Sequence, residues 1–174
     1  MLRYANYCVT FREVPDEISL CINISECKIR CMGCHSRYLW DEIGQHLDVS
    51  ALKSLIGIHN GISCVCLMGG DHELESILKL GKAIKKLGLK AAWYSGKDSL
   101  EFDIDDINKA FEVFDYIKLG RFVESLGGLD SPATNQRMLK IEKDSIGIYS
   151  YKDKEWKYET KDKSFIEGTK CKDA

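Results

Sequence analysis

Apolar and polar positions along this chain change period several times, and each change marks an element. Tyr4–Phe11 alternates weakly and reads as a strand, Val14-Pro15-Asp16-Glu17 as a turn, and Ile18–Ile24 as a second strand. Leu52, Leu55 and Ile56 share a helical face behind Asp48 or Ser50, either of which can cap the helix. Ser63–Met68 is a short apolar run of the kind found in buried strands, and it runs into Gly69-Gly70-Asp71. Glu73–Leu87 sets Leu74, Ile77, Leu78, Ile84 and Leu87 on one helical face, with Gly88 as its stop. Lys90–Tyr94 reads as a strand. Asp103 then caps a helix that turns Ile104, Ile107, Phe111 and Phe114 inward, and Tyr116–Leu119 is the next strand.

Strand and helix in alternation predict an α/β fold built of parallel βαβ units. Chemistry in such folds gathers at the carboxyl ends of the strands. The segment after Ile24, Gly69-Gly70-Asp71, Ser95-Gly96 and Gly120-Arg121 all follow strands, so all four are expected to rim one mouth. Beyond Asn135 the texture changes. Gln136–Ile141 and Ile146–Tyr151 read as strands, and Lys152–Lys163 is dense in charge around Trp156 and Tyr158. The expected organisation is a domain over residues 1–150 and a charged, solvated extension over 151–174, either a hairpin or disordered.

Composition narrows the class. A chain of 174 residues suffices for one domain with a real core, and 44% hydrophobic with 30% charged residues is the balance of a soluble protein. A formal net charge of −2 gives no global pull toward nucleic acid, and no apolar run approaches a membrane span. Met1–Val14 lacks the basic-then-apolar pattern of a signal peptide, so the cytoplasm is the expected location. Thiols stay reduced there, and eight cysteines point to metal or redox chemistry before disulfides.

Three of those cysteines, Cys27, Cys31 and Cys34, fall within eight residues. They can wrap one loop around one metal centre. Iron–sulfur clusters are held by thiolates, normally four. Three protein ligands leave one iron free for another molecule, as an open position does in catalytic zinc sites. The competing reading is a zinc site completed by His35, Cys8, Cys21, Cys64 or Cys66. Cys64 and Cys66 lie two apart on a strand and share a face, which suits core packing; Cys8 and Cys21 are read the same way, and Cys171 as an exposed tail thiol.

Cys-x3-Cys-x2-Cys after the first core strand is the signature of the radical S-adenosylmethionine enzymes, and Gly69-Gly70-Asp71 resembles their glycine motif. From about Ile18 to Met138 the chain resembles one family within them, the activating protein of class III anaerobic ribonucleoside-triphosphate reductase. Cys31-Met32-Gly33-Cys34-His35 with Trp40, Trp93-Tyr94-Ser95-Gly96, Gly120-Arg121-Phe122-Val123-Glu124 and Asn135-Gln136-Arg137 carry that resemblance. His72 stands where many members have proline, Leu119 where an aspartate often precedes the glycine, and Thr134 where they have serine.

The resemblance implies a partial (β/α) radical-SAM barrel with a parallel core sheet, a short N-terminal strand and a C-terminal extension. It implies a 4Fe-4S cluster on Cys27, Cys31 and Cys34, and S-adenosylmethionine held by Gly33, Cys34, His35, Gly69, Gly70, Asp71 and Ser95. The implied activity is reductive cleavage of S-adenosylmethionine, which leaves a glycyl radical on the large reductase subunit. The implied partners are that subunit and a one-electron donor such as flavodoxin, with no nucleic acid and no membrane. No acid–base pair is required. The rival readings are an activase of another glycyl-radical enzyme and, in a different class, a non-enzymatic zinc-binding module.

Overall fold

The computed structural model describes residues 1–160; Cys171 and the end of the Lys152–Lys163 segment lie outside the described residues. The described strands form one sheet. They are β1 (Arg3–Thr10), β2 (Ser19–Ile24), β3 (Gln45–His46), β4 (Cys64–Met68), β5 (Lys90–Tyr94), β6 (Tyr116–Leu119), β7 (Arg137–Ile141), β8 (Ser145–Ser150) and β9 (Glu155–Thr160). Their spatial order is β3-β1-β2-β4-β5-β6-β7-β8-β9. The central strands β2, β4, β5 and β6 run parallel, as the alternating pattern requires. The flanking strands are antiparallel. The crossovers carry α1 (Val49–Gly57), α2 (Leu74–Lys86) and α3 (Ile104–Val113).

The helices start close to where the sequence places them. Asp48, not Ser50, caps α1, its side chain accepting from the Ala51 amide at 2.8 Å. Asp103 occupies the first position before α3 but makes no side-chain capping bond. All three helices pack on one face of the sheet. Leu52 and Leu55 of α1, Ile77 and Ile84 of α2, and Ile107 and Phe111 of α3 meet Leu20, Ile22, Val65, Leu67, Trp93 and Ile117 there.

The other face is lined by Cys21, Cys64, Cys66, Ala92, Tyr94, Tyr116 and Met138, with Tyr149 and Trp156 packed against them. No helix covers it. The turn between β1 and β2 folds across instead and buries Val14 completely. Asp16 of that turn accepts from the indole of Trp156 on β9 at 3.1 Å. Six strand spacings separate β2 from β9, which would be about 29 Å in a flat sheet. The curl of the sheet and the folded turn together close that distance. The charged segment that begins at Lys152 therefore supplies a strand, β9, which pairs with β8 across the 151–154 turn. Among the described residues no helix is long and apolar enough to cross a membrane.

Candidate metal centre

The cysteine loop leaves β2 at Ile24 and is pinned to its neighbours by backbone bonds. Ser25 donates to the Arg3 carbonyl at 2.9 Å, Glu26 to Asp41 at 3.1 Å and Cys27 to Leu39 at 2.8 Å. The chain turns through left-handed conformations at Glu26, Arg30 and Gly33, with φ of 60°, 48° and 76°. Two of those are not glycine, so the loop carries local strain that its packing must offset. Cys27, Cys31 and Cys34 are half-buried free thiols, and Cys27 and Cys34 both lie within electrostatic reach of Cys31. Burial raises the pKa of Cys31; a backbone hydrogen bond at Phe122 opposes it, and the neighbouring Cys34 and Cys27 add to it. The Ser36 amide donates to Cys34 Sγ at 3.4 Å. Gly33 lies so close to Glu124 that a Cβ there would sit 2.8 Å from its carboxylate.

The other three loops meet this one. Asp71 accepts from the Ser95 hydroxyl and, at 3.3 Å, from the Gly96 amide, which joins the glycine loop after β4 to the loop after β5. Ile29 of the cysteine loop packs on Gly96, where a Cβ would lie 2.7 Å from it. The His35 ring lies 5.3 Å from that of Phe122 in the loop after β6. Gln136 and Asn135 donate to the Gly120 and Arg121 carbonyls at 3.2 and 3.1 Å, so the last two sequence motifs form one unit. A cleft of about 670 Å³ opens beside Cys31, between Met32 and Phe122. Arg121 at its rim is paired with Glu101.

Gly69 and Gly70 both have positive φ, 101° and 84°. The core by itself requires a glycine at position 70. A Cβ there would lie 2.5 Å from Ile77 Cδ1 and 3.3 Å from Ile24 Cδ1, which are core atoms. The Gly69 carbonyl accepts from the Trp93 indole at 2.9 Å. The glycine turn is thus fixed from below by the core.

One residue of the site carries no sequence motif. Lys118, on the buried strand β6, is only 8% exposed. Its ammonium donates to the Ser95 carbonyl at 3.2 Å and the Gly120 carbonyl at 2.6 Å. Burial lowers its pKa to about 8, a shift opposed chiefly by the nearby Asp71. The signal in the sequence was a lysine inside a four-residue strand that is otherwise apolar and aromatic. His72 is a second such group: both ring nitrogens are buried without a hydrogen-bond partner, 3.9 Å from Glu26 at the closest. Among the described residues no three His, Cys, Asp or Glu side chains are arranged as the shell of a single metal ion.

The donor set fits an iron–sulfur cluster. Each thiolate of a cluster binds its own iron, so the three sulfurs need not converge on one point as they must around zinc. A family model described as a 4Fe-4S single cluster domain matches residues 18–138, from the start of β2 to β7 and across all four loops. No curated protein and no solved structure matches the chain. With that match spanning well over half of its length, the chain belongs to the 4Fe-4S single cluster domain family.

Proposed function

We propose that this protein is the activating enzyme of a class III anaerobic ribonucleoside-triphosphate reductase, working in the cytoplasm. The parallel strands β2, β4, β5 and β6 with their helices are read as the partial (β/α) barrel of the radical S-adenosylmethionine enzymes. Cys27, Cys31 and Cys34 would hold the 4Fe-4S cluster, and a three-cysteine set would leave it open to S-adenosylmethionine. When bound, such a cluster would supply one-electron reduction for cleaving S-adenosylmethionine, the chemistry from which a glycyl radical on the large reductase subunit would follow. A one-electron donor such as flavodoxin supplies that electron.

The protein's own residues bind and orient. Gly33, Cys34 and His35 on one side and Gly69, Gly70 and Asp71 on the other form the cradle for S-adenosylmethionine. Ser95 and the Gly96 amide hold the Asp71 carboxylate in place. Lys118 contributes a buried positive charge within electrostatic reach of Cys31, which favours the thiolate form of that residue. The open cleft beside Cys31 suits a macromolecular substrate, which brings its own walls.

The observation that carries this reading is the meeting of the cysteine loop with the loops after β4, β5 and β6, through Ile29 on Gly96, Ser95 on Asp71 and His35 on Phe122. The test is anaerobic. Cluster-loaded protein, S-adenosylmethionine, a strong reductant and the class III reductase are mixed, and electron paramagnetic resonance is recorded. A glycyl-radical signal is expected, and it disappears when the reductase's radical glycine is changed to alanine. Cleavage of S-adenosylmethionine with radical formation only on another glycyl-radical enzyme would move the assignment to that partner. Zinc in place of iron and sulfide in anaerobically purified protein would overturn it.

A further inference from the structure

Among the described residues four cysteines take no part in the site described above, and strand register sets three of them in a row. Cys8 on β1 lies directly opposite Cys21 on β2, and Cys21 lies directly beside Cys66 on β4. Directly opposed residues of neighbouring strands point to the same face, here the one without helices. Cys64 follows on β4, two residues from Cys66. All four thiols are free.

Their access to solvent differs sharply. Cys21 and Cys66 are 1% and 0% exposed, whereas Cys8 is exposed. The reason lies in the edge of the sheet. β3 pairs only with Arg3 and Tyr4, so the second half of β1 is an unpaired edge and its side chains are open. An exposed thiol stands one strand spacing from a buried one. Opposed residues in an antiparallel pair have Cα atoms about 4.5–5.5 Å apart, inside the range that a disulfide spans.

We propose that Cys8 and Cys21 form a reactive thiol pair, a modification site separate from the metal centre, whose reagent is a small-molecule disulfide such as oxidised glutathione. The reaction proceeds by two exchanges. Cys8, as its thiolate, attacks one sulfur of glutathione disulfide, breaks the S–S bond and releases one glutathione thiolate, which takes up the proton. Cys21 then attacks the Cys8 sulfur of the mixed disulfide and expels the second glutathione. Two protein thiols are oxidised to one disulfide, and one glutathione disulfide is reduced to two thiols. The order follows from access: the reagent reaches the exposed Cys8, and the buried Cys21 meets it only through Cys8. Desolvation raises the pKa of Cys8, with Cys21 and Glu13 adding to it, so the first step is slow at neutral pH and faster in mild alkali. The product would staple β1 to β2, the strand that feeds the cysteine loop. This inference does not depend on the reductase assignment.

The test treats cluster-loaded protein anaerobically with oxidised glutathione at mildly alkaline pH, followed by non-reducing peptide mapping with fragment sequencing. In the wild-type protein, most molecules are expected to carry a Cys8–Cys21 disulfide while keeping their cluster absorbance. In Cys21→Ala and Cys21→Ser the resolving thiol is gone, and glutathione should stay on Cys8 with a lifetime roughly tenfold longer or more. In Cys8→Ala neither product should form. A wild-type protein with the same persistent adduct on Cys8 overturns the proposal. So does an unmodified Cys8, or a cross-link from Cys8 to Cys27 that appears as the cluster is lost. The wild-type map alone decides between these outcomes, whether or not the variants fold.

Discussion

The two ends of the parallel strands handle buried charge in opposite ways. At the amino end, Glu17 is 6% exposed and fully partnered. It accepts from Ser63 at 2.6 Å, from Tyr116 at 2.7 Å and from Lys90. Ser63 in turn accepts from the Ile18 amide at 2.9 Å. Burial alone would raise the pKa of Glu17, but the bonds from Lys90, Ser63 and Tyr116 outweigh it and leave the pKa below that of an ordinary carboxyl. At the carboxyl end, Lys118 has only carbonyls to bind, and burial lowers its pKa to about 8. His72, in the loop after β4, has no hydrogen-bond partner at either ring nitrogen. One end is built to hold the turn onto the sheet. The other keeps buried charge and unmet polar atoms beside the cysteine loop, the pattern of a functional site.

Substitutions at the two ends should therefore separate iron binding from stability. The largest effect is expected from Cys31→Ala, which should lose essentially all iron and sulfide and, with them, cleavage of S-adenosylmethionine; Cys64→Ala should retain iron. Iron and sulfide analysis of anaerobically reconstituted protein reads both. A normal cluster in Cys31→Ala would remove the basis for the carboxyl-end assignment.

Glu17→Ala should cost about 3 kcal/mol of stability, the lower end for breaking a buried pair because Lys90 is half exposed, while leaving the iron content unchanged. Chemical denaturation of the two proteins measures it. The pH dependence has a definite sign. A carboxyl whose folded pKa is depressed contributes fully above its unfolded pKa, near 4.3, and that contribution is lost as pH falls through the lower folded value. The stability gap between wild type and Glu17→Gln should therefore narrow in acid below about pH 4.

Gly70→Val belongs to the carboxyl end by position but should behave like a core variant. Its φ of 84° and the clash with Ile77 predict a loss of about 2 kcal/mol, seen as a lower denaturation midpoint. A variant of unchanged stability that failed only to bind S-adenosylmethionine would restore a purely ligand-facing role for this glycine. The smallest stability change is expected at Lys118. Lys118→Met removes a buried charge and should gain about 1 kcal/mol. It should also shift the cluster potential to more negative values, because a nearby positive charge favours the reduced, more negative cluster. Spectroelectrochemistry reads the shift, and a positive or absent one would show that Lys118 does not act on the cluster.

Much of this arrangement is legible from residue periodicity. Ser63–Met68 and Lys90–Tyr94 lie within a residue of their strands because short apolar runs bounded by glycine and polar residues have few other uses. The meeting of the four loops follows from strand direction alone. The remainder depends on contacts that no local pattern encodes. The two-residue β3 is too short to show a period, and its shortness is what leaves Cys8 exposed while Cys21 is buried. Lys118 reads as one polar residue in a strand; its burial depends on the loops that close over it. Trp156 sits in a segment whose charge density suggests solvent, yet it packs on Tyr116 at 5.9 Å and on Tyr149 at 5.0 Å.

The bond from Trp156 to Asp16 joins residues 140 apart in the chain. On a ribosome, β1, β2 and the three crossover units emerge first and can pair in order, each strand finding a neighbour already made. The face that carries Cys21, Cys64, Cys66 and Tyr116 cannot be finished at that stage. It waits for β8 and β9, which bring Tyr149 and Trp156. A nascent chain stalled before residue 156 would thus present its buried thiols and an aromatic surface to the cell, with helices docked on the other side. The arrival of β8 and β9, more than formation of the parallel core, is the event that shields them.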